Sequence, residues 1–528
     1  MSSIDSLSEQ KEARCLEIEG IVQGVGFRPF IYRLAGQYGL SGDVANNSAG
    51  VIIHVEGSSG AINHFINDIE GECPPIARVI QVRQNIVKFK GMHKFVIRDS
   101  ETGSPPATLI SPDIAVCDDC LSELFDQGDR RYGYPFINCT NCGPRYTIID
   151  DIPYDRPKTS MRNFIMCPAC QGEYDNPMDR RFHAQPNACF DCGPGVSLFD
   201  ASGTRIDADN KIQHTAELLK QGAIVAIKGL GGFHLAADAV NSEAVAILRE
   251  RKHREEKPLA VMAYGIADVK EFAHAGSEEQ VLLSSPERPI VILRKKESNP
   301  LAQDVSPFNN YFGIMLPCTP LHYLLLSHGF TALVMTSANL SEEPIAIDND
   351  EAFEHLADIA DYFLVHDRDI YLRSDDSIVK RTASEFRMMR RSRGYAPAPV
   401  FLKNRGPRIL ACGAELKNTV CLTKEDKAFL SQHIGDLENA RAYDFFKLTI
   451  EHMKRILDIR PEIIAYDLHP DYLSTRYAVE QDGLQKIQVQ HHHAHIVSCM
   501  AENNLDGHVM GLSFDGTGFG PDNTIWGG

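Results

Sequence analysis

Nowhere does this sequence carry an uninterrupted apolar run near the roughly 18 residues that a membrane span requires, so no transmembrane helix is expected. Its first residues, "MSSIDSLSEQKEAR", lack the basic n-region and apolar h-region of a secretory signal, and a cytoplasmic location is expected. A cationic surplus is missing too: 53 Lys and Arg stand against 71 Asp and Glu, a formal net charge of -18. That opposes sequence-blind binding of nucleic acid, whose affinity rests on cations neutralising phosphates. At 528 residues the chain is too long for one hydrophobic core, so three or four domains are expected.

Cysteine is plentiful, with 14 in the chain. In a large chain without a secretory signal they point to metal or catalysis rather than to a disulfide framework. Eight of them form one frame used twice: Cys117-x2-Cys120, eighteen residues, Cys139-x2-Cys142, then Cys167-x2-Cys170, eighteen residues, Cys189-x2-Cys192. Two thiolates separated by two residues can hold one ion from a single tight turn, and a second such turn completes a tetrahedron. Four thiolates leave no open position, so two structural Zn2+ sites are expected. Asp129-Arg130-Arg131 recurs as Asp179-Arg180-Arg181 and Cys142-Gly143-Pro144 as Cys192-Gly193-Pro194, so whole units are duplicated. The modules lack aromatic-interleaved basic stripes, and rigid spacing between catalytic domains is the role expected of them.

The first hundred residues read as β-α-β-β-α-β, a ferredoxin-like order. "RCLEIEG" is the first strand and "FRPFIYRLAGQYGL" the first helix; "DVANNS" and "VIIHVEG" are a strand pair, "GAINHFINDIE" is a helix, and "HKFVIRD" is the closing strand. Between the first strand and helix, Gly24, Val25, Gly26 and Phe27 form a turn at a helix N-terminus, where consecutive N–H groups suit an anion and Arg28 adds a charged fork. The words "VQGVGFR", starting at Val22-Gln23, and "GDVANNSAG" together resemble the acylphosphatase family. That resemblance makes residues 23–27 the phosphate loop, Arg28 the ligand of the phosphoryl group and Asn46 the residue that orients the attacking water.

Residues 205–380 alternate helices and strands, with "IDADNKIQHTAELLKQG" a helix ending at Gly222 and "AIVAIKG" a buried strand. By itself "LRERKHREEK" reads as an exposed helical charge run. In company with "KGLGGFHLAADA", "SPERPIVIL", "LPCTPLHYLL" and "MTSANLSEEPI" it resembles the YrdC-like synthases that make carbamoyl- or threonylcarbamoyl-adenylate from ATP. The resemblance implies nucleotide contacts at Lys228, Lys252, Arg254, Lys257, Ser337 and Asn339, with ATP and Mg2+ as cosubstrates. Lys228-Gly229-Leu230-Gly231-Gly232-Phe233-His234 departs from the Pro-Thr-Asp-Thr pattern of the tRNA-modifying branch, which opposes threonine as substrate.

After a Pro-rich linker, "GYAPAPVFLKNRGP", a new apolar strand opens "PRILACGAELKNTVCL". Its turn bears Gly413, Lys417 and Asn418 and suits a nucleotide phosphate. "AYDFFKLTIEHMKRILDI" reads as a helix. In "VQHHHAHIVSCM", His491 and His495 stand at i and i+4 on one helix face, a metal-binding spacing that favours Fe or Zn, while His492 and His493 point elsewhere. "CGAELKNT", "DLHPDYLSTRYA", "HHHAH" and "SFDGTGFGPDNTIWGG" resemble an actin-like (ASKHA) carbamoyltransferase domain. That implies roles near the transferred group for Asp467 and His469, and a second phosphate loop at Asp515, Gly516 and Gly518.

In this order the four regions resemble the carbamoyltransferase family of nickel–iron hydrogenase maturation. The expected fold is multidomain α+β and α/β: a ferredoxin-like acylphosphatase domain over 1–100, tandem four-cysteine zinc modules over 101–200, a YrdC-like α/β domain over 201–395, and the first part of an actin-like α/β domain over 396–528. The resemblance implies hydrolysis of carbamoyl phosphate to carbamate, its activation by ATP to carbamoyl-adenylate, and transfer to the C-terminal Cys of a partner maturation protein on the way to cyanide ligands. Members of the family continue beyond Trp526-Gly527-Gly528, so a C-terminally truncated form is expected. Two rival readings are a tRNA-directed threonylcarbamoyl-adenylate enzyme and a plain acylphosphatase with regulatory ATP-binding domains.

Overall fold

A computed structural model of the chain describes residues 11–527, apart from 23–24, 48–49, 75, 99–108, 340–342 and 384. Gln23 and Gly24 therefore lie outside the described residues.

The N-terminal unit is a five-stranded sheet with two helices. Strand β1 (Lys11–Ile21) leads through the Gly26 turn into α1 (Phe27–Gln37). Phe27, Phe30, Ile31 and Leu34 recur at i, i+3, i+4 and i+7 and are all buried, which is why this segment is a helix pressed on the sheet. Then come β2 (Ser41–Asn46), β3 (Gly50–Ser58), α2 (Ser59–Gly71), β4 (Arg78–Val87) and β5 (Phe95–Ile97), in sheet order β4-β1-β3-β2-β5. The ferredoxin-like order is present, but its last strand is not the expected one. The strand that closes the order is β4, antiparallel to β1, whereas the "HKFVIRD" segment contributes only β5, parallel to β2 at the opposite edge. β4 is exposed along most of its length, and of its side chains Val79 and Val82 pack on the core, three positions apart rather than two, so strand periodicity does not identify it.

The cysteine repeat holds little regular structure beyond two helices, Asp118–Phe125 and Pro168–Asp175, each starting one residue after the first cysteine of its frame. Beyond it, a 12-stranded mixed sheet organises the third region. Val196–Asp200, assigned above to the repeat, belongs to this sheet and pairs antiparallel with Tyr362–His366. The helix expected from Ile206 is confined to Lys211–Lys220, capped by Asn210 and followed by Gly222 at φ +93°. Phe233, Leu235, Val245 and Leu248 fill one face of the sheet; Ile212, Leu219, Leu321 and Leu325 fill the other.

The fourth region is a five-stranded sheet ordered Pro399–Gly406, Cys421–Leu430, Ile409–Ala411, Ile463–Asp467, Gln485–Val489. The stretch expected as a linker thus supplies an edge strand, antiparallel to Cys421–Leu430; its prolines are tolerated because an edge strand leaves N–H groups unpaired in any case. Helix Ala440–Ile456 is started by Asn439, whose side chain accepts from the Ala442 N–H, and buries Phe446, Ile450 and Met453. Its core also takes in Tyr146 and Ile149 from the segment between the two cysteine frames. Among the described residues no helix is long and apolar enough to cross a membrane.

Candidate functional site

Four sites stand along the chain. In the first, Gly26 adopts φ +73° at the N-cap of α1, and its carbonyl accepts from the Phe30 N–H. The backbone around it is backed by another unit: a Cβ at Gly26 would lie 3.0 Å from Thr140 Oγ1 and 3.3 Å from Asn141 Oδ1 of the first cysteine frame. Arg28 sits in the first turn of α1. Asn46 ends β2, and its side-chain oxygen is buried without a hydrogen-bond partner. A buried amide oxygen left unpaired is costly, and a water donating to it would satisfy it.

Each cysteine frame closes on itself. Three Sγ–Sγ separations in each frame run from 3.5 to 3.8 Å in the first and from 3.6 to 3.8 Å in the second, close to the edge of about 3.8 Å of a tetrahedron with a Zn–S bond of about 2.3 Å, and all four ligand atoms of each lie within 4.8 Å of one another. Both donor sets therefore fit a zinc ion with no open position.

The third site is a crowd of cations. Lys252 follows helix Ser242–Arg251 and is not an exposed charge: it is buried, and its ammonium donates to Ser337 O at 2.9 Å, Asn339 O at 2.6 Å and Asn339 Oδ1 at 3.0 Å. Ser337 Oγ also donates to Asn339 Oδ1, at 3.0 Å. Arg254 donates to Thr336 Oγ1 and Pro258 O. Burial, reinforced by Arg254 and Lys257, pushes the Lys252 ammonium down to about 7, and burial with Arg249 and Arg390 nearby brings Arg254 to about 10. Lys257 is lowered for the same reasons. Lys252 is buried, Arg254 half-buried and Lys257 exposed, and cations that depress one another in this way favour an anionic ligand. Across from them, the fourth-region loop places His433, pushed down to about 4 by burial, among Asp375, Arg390, Asp436 and Lys257.

Lys228 stands apart from this crowd. It ends a strand at the same end of the sheet as Ser337, two strands away, which is about 10 Å. Its ammonium donates to Asn349 Oδ1 at 2.9 Å and His366 O at 3.3 Å, and burial lowers it to about 8. Between the two strand ends lies a group the motifs did not single out. His234 Nε2 meets Asp376 Oδ2 at 3.1 Å, while Asp376 Oδ1 accepts from Arg393 Nε at 2.7 Å. The only sequence signal for it was the departure at "KGLGGFH".

Helix His491–Glu502 carries the fourth site. His491 and His495 Nε2 atoms are 3.2 Å apart, and Asp515 Oδ2 lies 2.9 and 3.4 Å from them. Three donors facing one point fit an Fe or Zn ion with positions left over. Asp515, placed in a phosphate loop by its motif, thus joins the histidine pair. Asp467 meets His491 Nδ1 at 2.6 Å, which turns Nε2 toward the shared point, and it also accepts from the His469 N–H at 2.9 Å. The His469 ring stacks on Tyr472 at 4.1 Å. Gly516 follows Asp515, and a Cβ at Gly518 would collide with the buried His492 ring. In the fourth-region turn, the Asn418 amide donates to Cys412 O and Ala414 O, and the Lys417 N–H donates to Asp436 Oδ1 at 2.6 Å. Asn418 therefore closes the turn with its amide, and the Lys417 side chain is exposed.

Comparison with known proteins follows the same four regions. The acylphosphatase model matches residues 15–97, the HypF finger model 116–149 and 166–199, the Sua5/yciO/yrdC model, described as telomere recombination, 217–392, and the HypF Kae1-like domain model 404–502. Carbamoyltransferase HypF2 of Cupriavidus necator is 48% identical over 97% of this chain and 66% of its own length. Carbamoyltransferase HypF of Synechocystis is 47% identical over 97% of this chain and 67% of its own. The crystal structure of full-length HypF in a phosphate- and nucleotide-bound form superposes with a TM-score of 0.91 at 50% identity, covering 98% of this chain and 68% of that one. The chain thus spans about two thirds of the length of these relatives. With its acylphosphatase unit, paired HypF fingers, YrdC-like unit and Kae1-like unit in this order, the chain belongs to the HypF carbamoyltransferase family.

Proposed function

We propose that the protein converts carbamoyl phosphate and ATP, with Mg2+, into an activated carbamoyl group and passes it to the C-terminal cysteine of a partner maturation protein, the source of cyanide ligands for a nickel–iron hydrogenase. Water attacks carbamoyl phosphate to give carbamate and inorganic phosphate. Arg28 and the N–H groups of the 23–27 turn hold the phosphoryl oxygens, and Asn46 Oδ1 accepts a hydrogen bond from the attacking water and orients it. A carbamate oxygen then attacks the α-phosphorus of ATP, and pyrophosphate leaves. Lys252, Arg254 and Lys257 bind the triphosphate while Ser337 and Asn339 hold the nucleotide. In the fourth region the partner's thiolate displaces AMP from the carbamoyl carbon, with Lys417 and Asn418 near the nucleotide and Asp467 and His469 near the transferred group. A metal at His491, His495 and Asp515 would supply a Lewis acid there.

The observation that carries this reading is the crowd of cations, Lys252, Arg254 and Lys257, gathered around the buried Lys252 ammonium beside the Ser337–Asn339 strand end. A relative at 50% identity is known in a phosphate- and nucleotide-bound form, which supports both the first and the second step. The departure at Lys228–His234 opposes threonine as cosubstrate. The test is AMP and pyrophosphate production from ATP with and without carbamoyl phosphate. AMP should require carbamoyl phosphate, be lost in Arg28→Ala, and show no dependence on threonine. AMP formed without carbamoyl phosphate, or only with threonine, would refute the reading.

A further inference from the structure

The duplicated frame has a period of fifty residues, and the structure gives that period a physical use. Arg180 of the second module donates to Cys120 Sγ of the first at 3.0 Å, and Arg130 of the first donates to Cys170 Sγ of the second at 3.3 Å. Their neighbours repeat the exchange: Arg181 pairs with Glu123 and donates to Asn138 O, while Arg131 pairs with Glu173 and donates to Ala188 O. Every one of these residues is fifty positions from its counterpart, so each module lends its Arg-Arg pair to the other. A zinc ion held by four thiolates carries a net charge of about -2, and N–H donors to the sulfurs stabilise it.

The contact that reaches the N-terminal unit belongs to the first module alone. Arg180 O accepts from both the Thr140 N–H at 3.1 Å and Thr140 Oγ at 3.0 Å. Thr140 and Asn141 are the residues that back Gly26 in the phosphate turn, and Arg33 of α1 lies in the field of Cys139. The corresponding position of the second module is Phe190, which is exposed.

We propose that the two cysteine modules form one reciprocally compensated metal unit, and that Arg180 acts as a positioning residue through which the zinc state of this unit holds the phosphate turn in shape. The second half rests on the reading of the 23–27 turn as a phosphate site.

Zinc release to a chromogenic chelator, zinc content by mass spectrometry and titration with inorganic phosphate test both halves on the intact chain. Arg180→Ala and Arg130→Ala should each release both zinc ions in a single phase, faster by about 10-fold or more. One fast and one unchanged zinc would overturn the coupling. Thr140→Val should keep both zinc ions yet weaken phosphate binding several-fold, as should Arg180→Ala. Phosphate binding unchanged in both would overturn the link to the turn. If Arg180→Ala fails to fold, Arg180→Lys, which keeps the charge and loses the fork, serves in its place and should release zinc at an intermediate rate; a wild-type rate would overturn the coupling. Wild-type protein that takes up no phosphate, or Arg28→Ala that binds it equally well, would overturn the phosphate-site reading and the link with it, leaving the coupling to be judged by the release phases.

Discussion

The cysteine modules and the Lys252 cluster handle charge in opposite ways. In the modules the charges around the metal frames meet their complements inside the fold: thiolates face Arg130 and Arg180, and Arg131 and Arg181 face Glu173 and Glu123. In the cluster, Lys252, Arg254 and Lys257 crowd together, and burial lowers all three. Closed charge makes a brace, because nothing need enter to satisfy it. Open charge makes a site, because a ligand completes it at little reorganisation cost.

Breaking the closed circuit should have the largest effect. Structural zinc of this kind supplies roughly 10 kcal/mol of folding free energy, so Cys139→Ser should strip metal from the repeat and bring amide exchange across residues 110–195 to unfolded rates. Full zinc content with native exchange would break the comparison.

Opening the other circuit should leave the fold intact and remove function. Lys252→Met should lower AMP formation by about 100-fold or more without lowering the melting temperature, since it deletes a cation whose burial is unfavourable. A fall of several degrees would mean that Lys252 is a structural group after all.

Protons should report the same asymmetry. In the free protein the Lys252 ammonium lies near 7, against about 10.4 unfolded. Between those values the unfolded chain binds more protons, so this residue makes stability rise with pH across the window. Bound triphosphate reverses the field and favours the ammonium. ATP binding at about pH 8.5 should therefore take up a proton, seen as a binding enthalpy that varies with the buffer's ionisation enthalpy. An enthalpy independent of buffer would count against it.

The smallest effect sharpens the contrast at the histidine site, which is open as the cluster is. Asp467→Asn should weaken metal binding there by about 10-fold, measured by competition with a chelator, while both zinc ions of the repeat stay in place.

Much of this was legible in residue order, and the misses share a cause. The two zinc frames, the Gly26 turn and the His491–His495 spacing are local patterns, set by the reach of a turn or the pitch of a helix. β4 gives no strand signal because it is exposed along most of its length and its inward Val79 and Val82 stand three positions apart. The edge strand Pro399–Gly406 reads as a linker because prolines punctuate a strand that uses few of its N–H groups. Asp515 read as part of a glycine loop, although it meets histidines twenty residues and more upstream.

By itself the sequence determined the four-region order, the tetrathiolate chemistry and the helix face bearing His491 and His495, because each depends on residues a few positions apart. Only the tertiary structure decided that Arg180 reaches Cys120, that Thr140 backs Gly26, that Lys252 is buried against Ser337 and Asn339, and that Asp467 and Asp515 flank His491. Those pairings join residues far apart in the chain, and burial and packing of whole units, rather than local spacing, select which side chains meet.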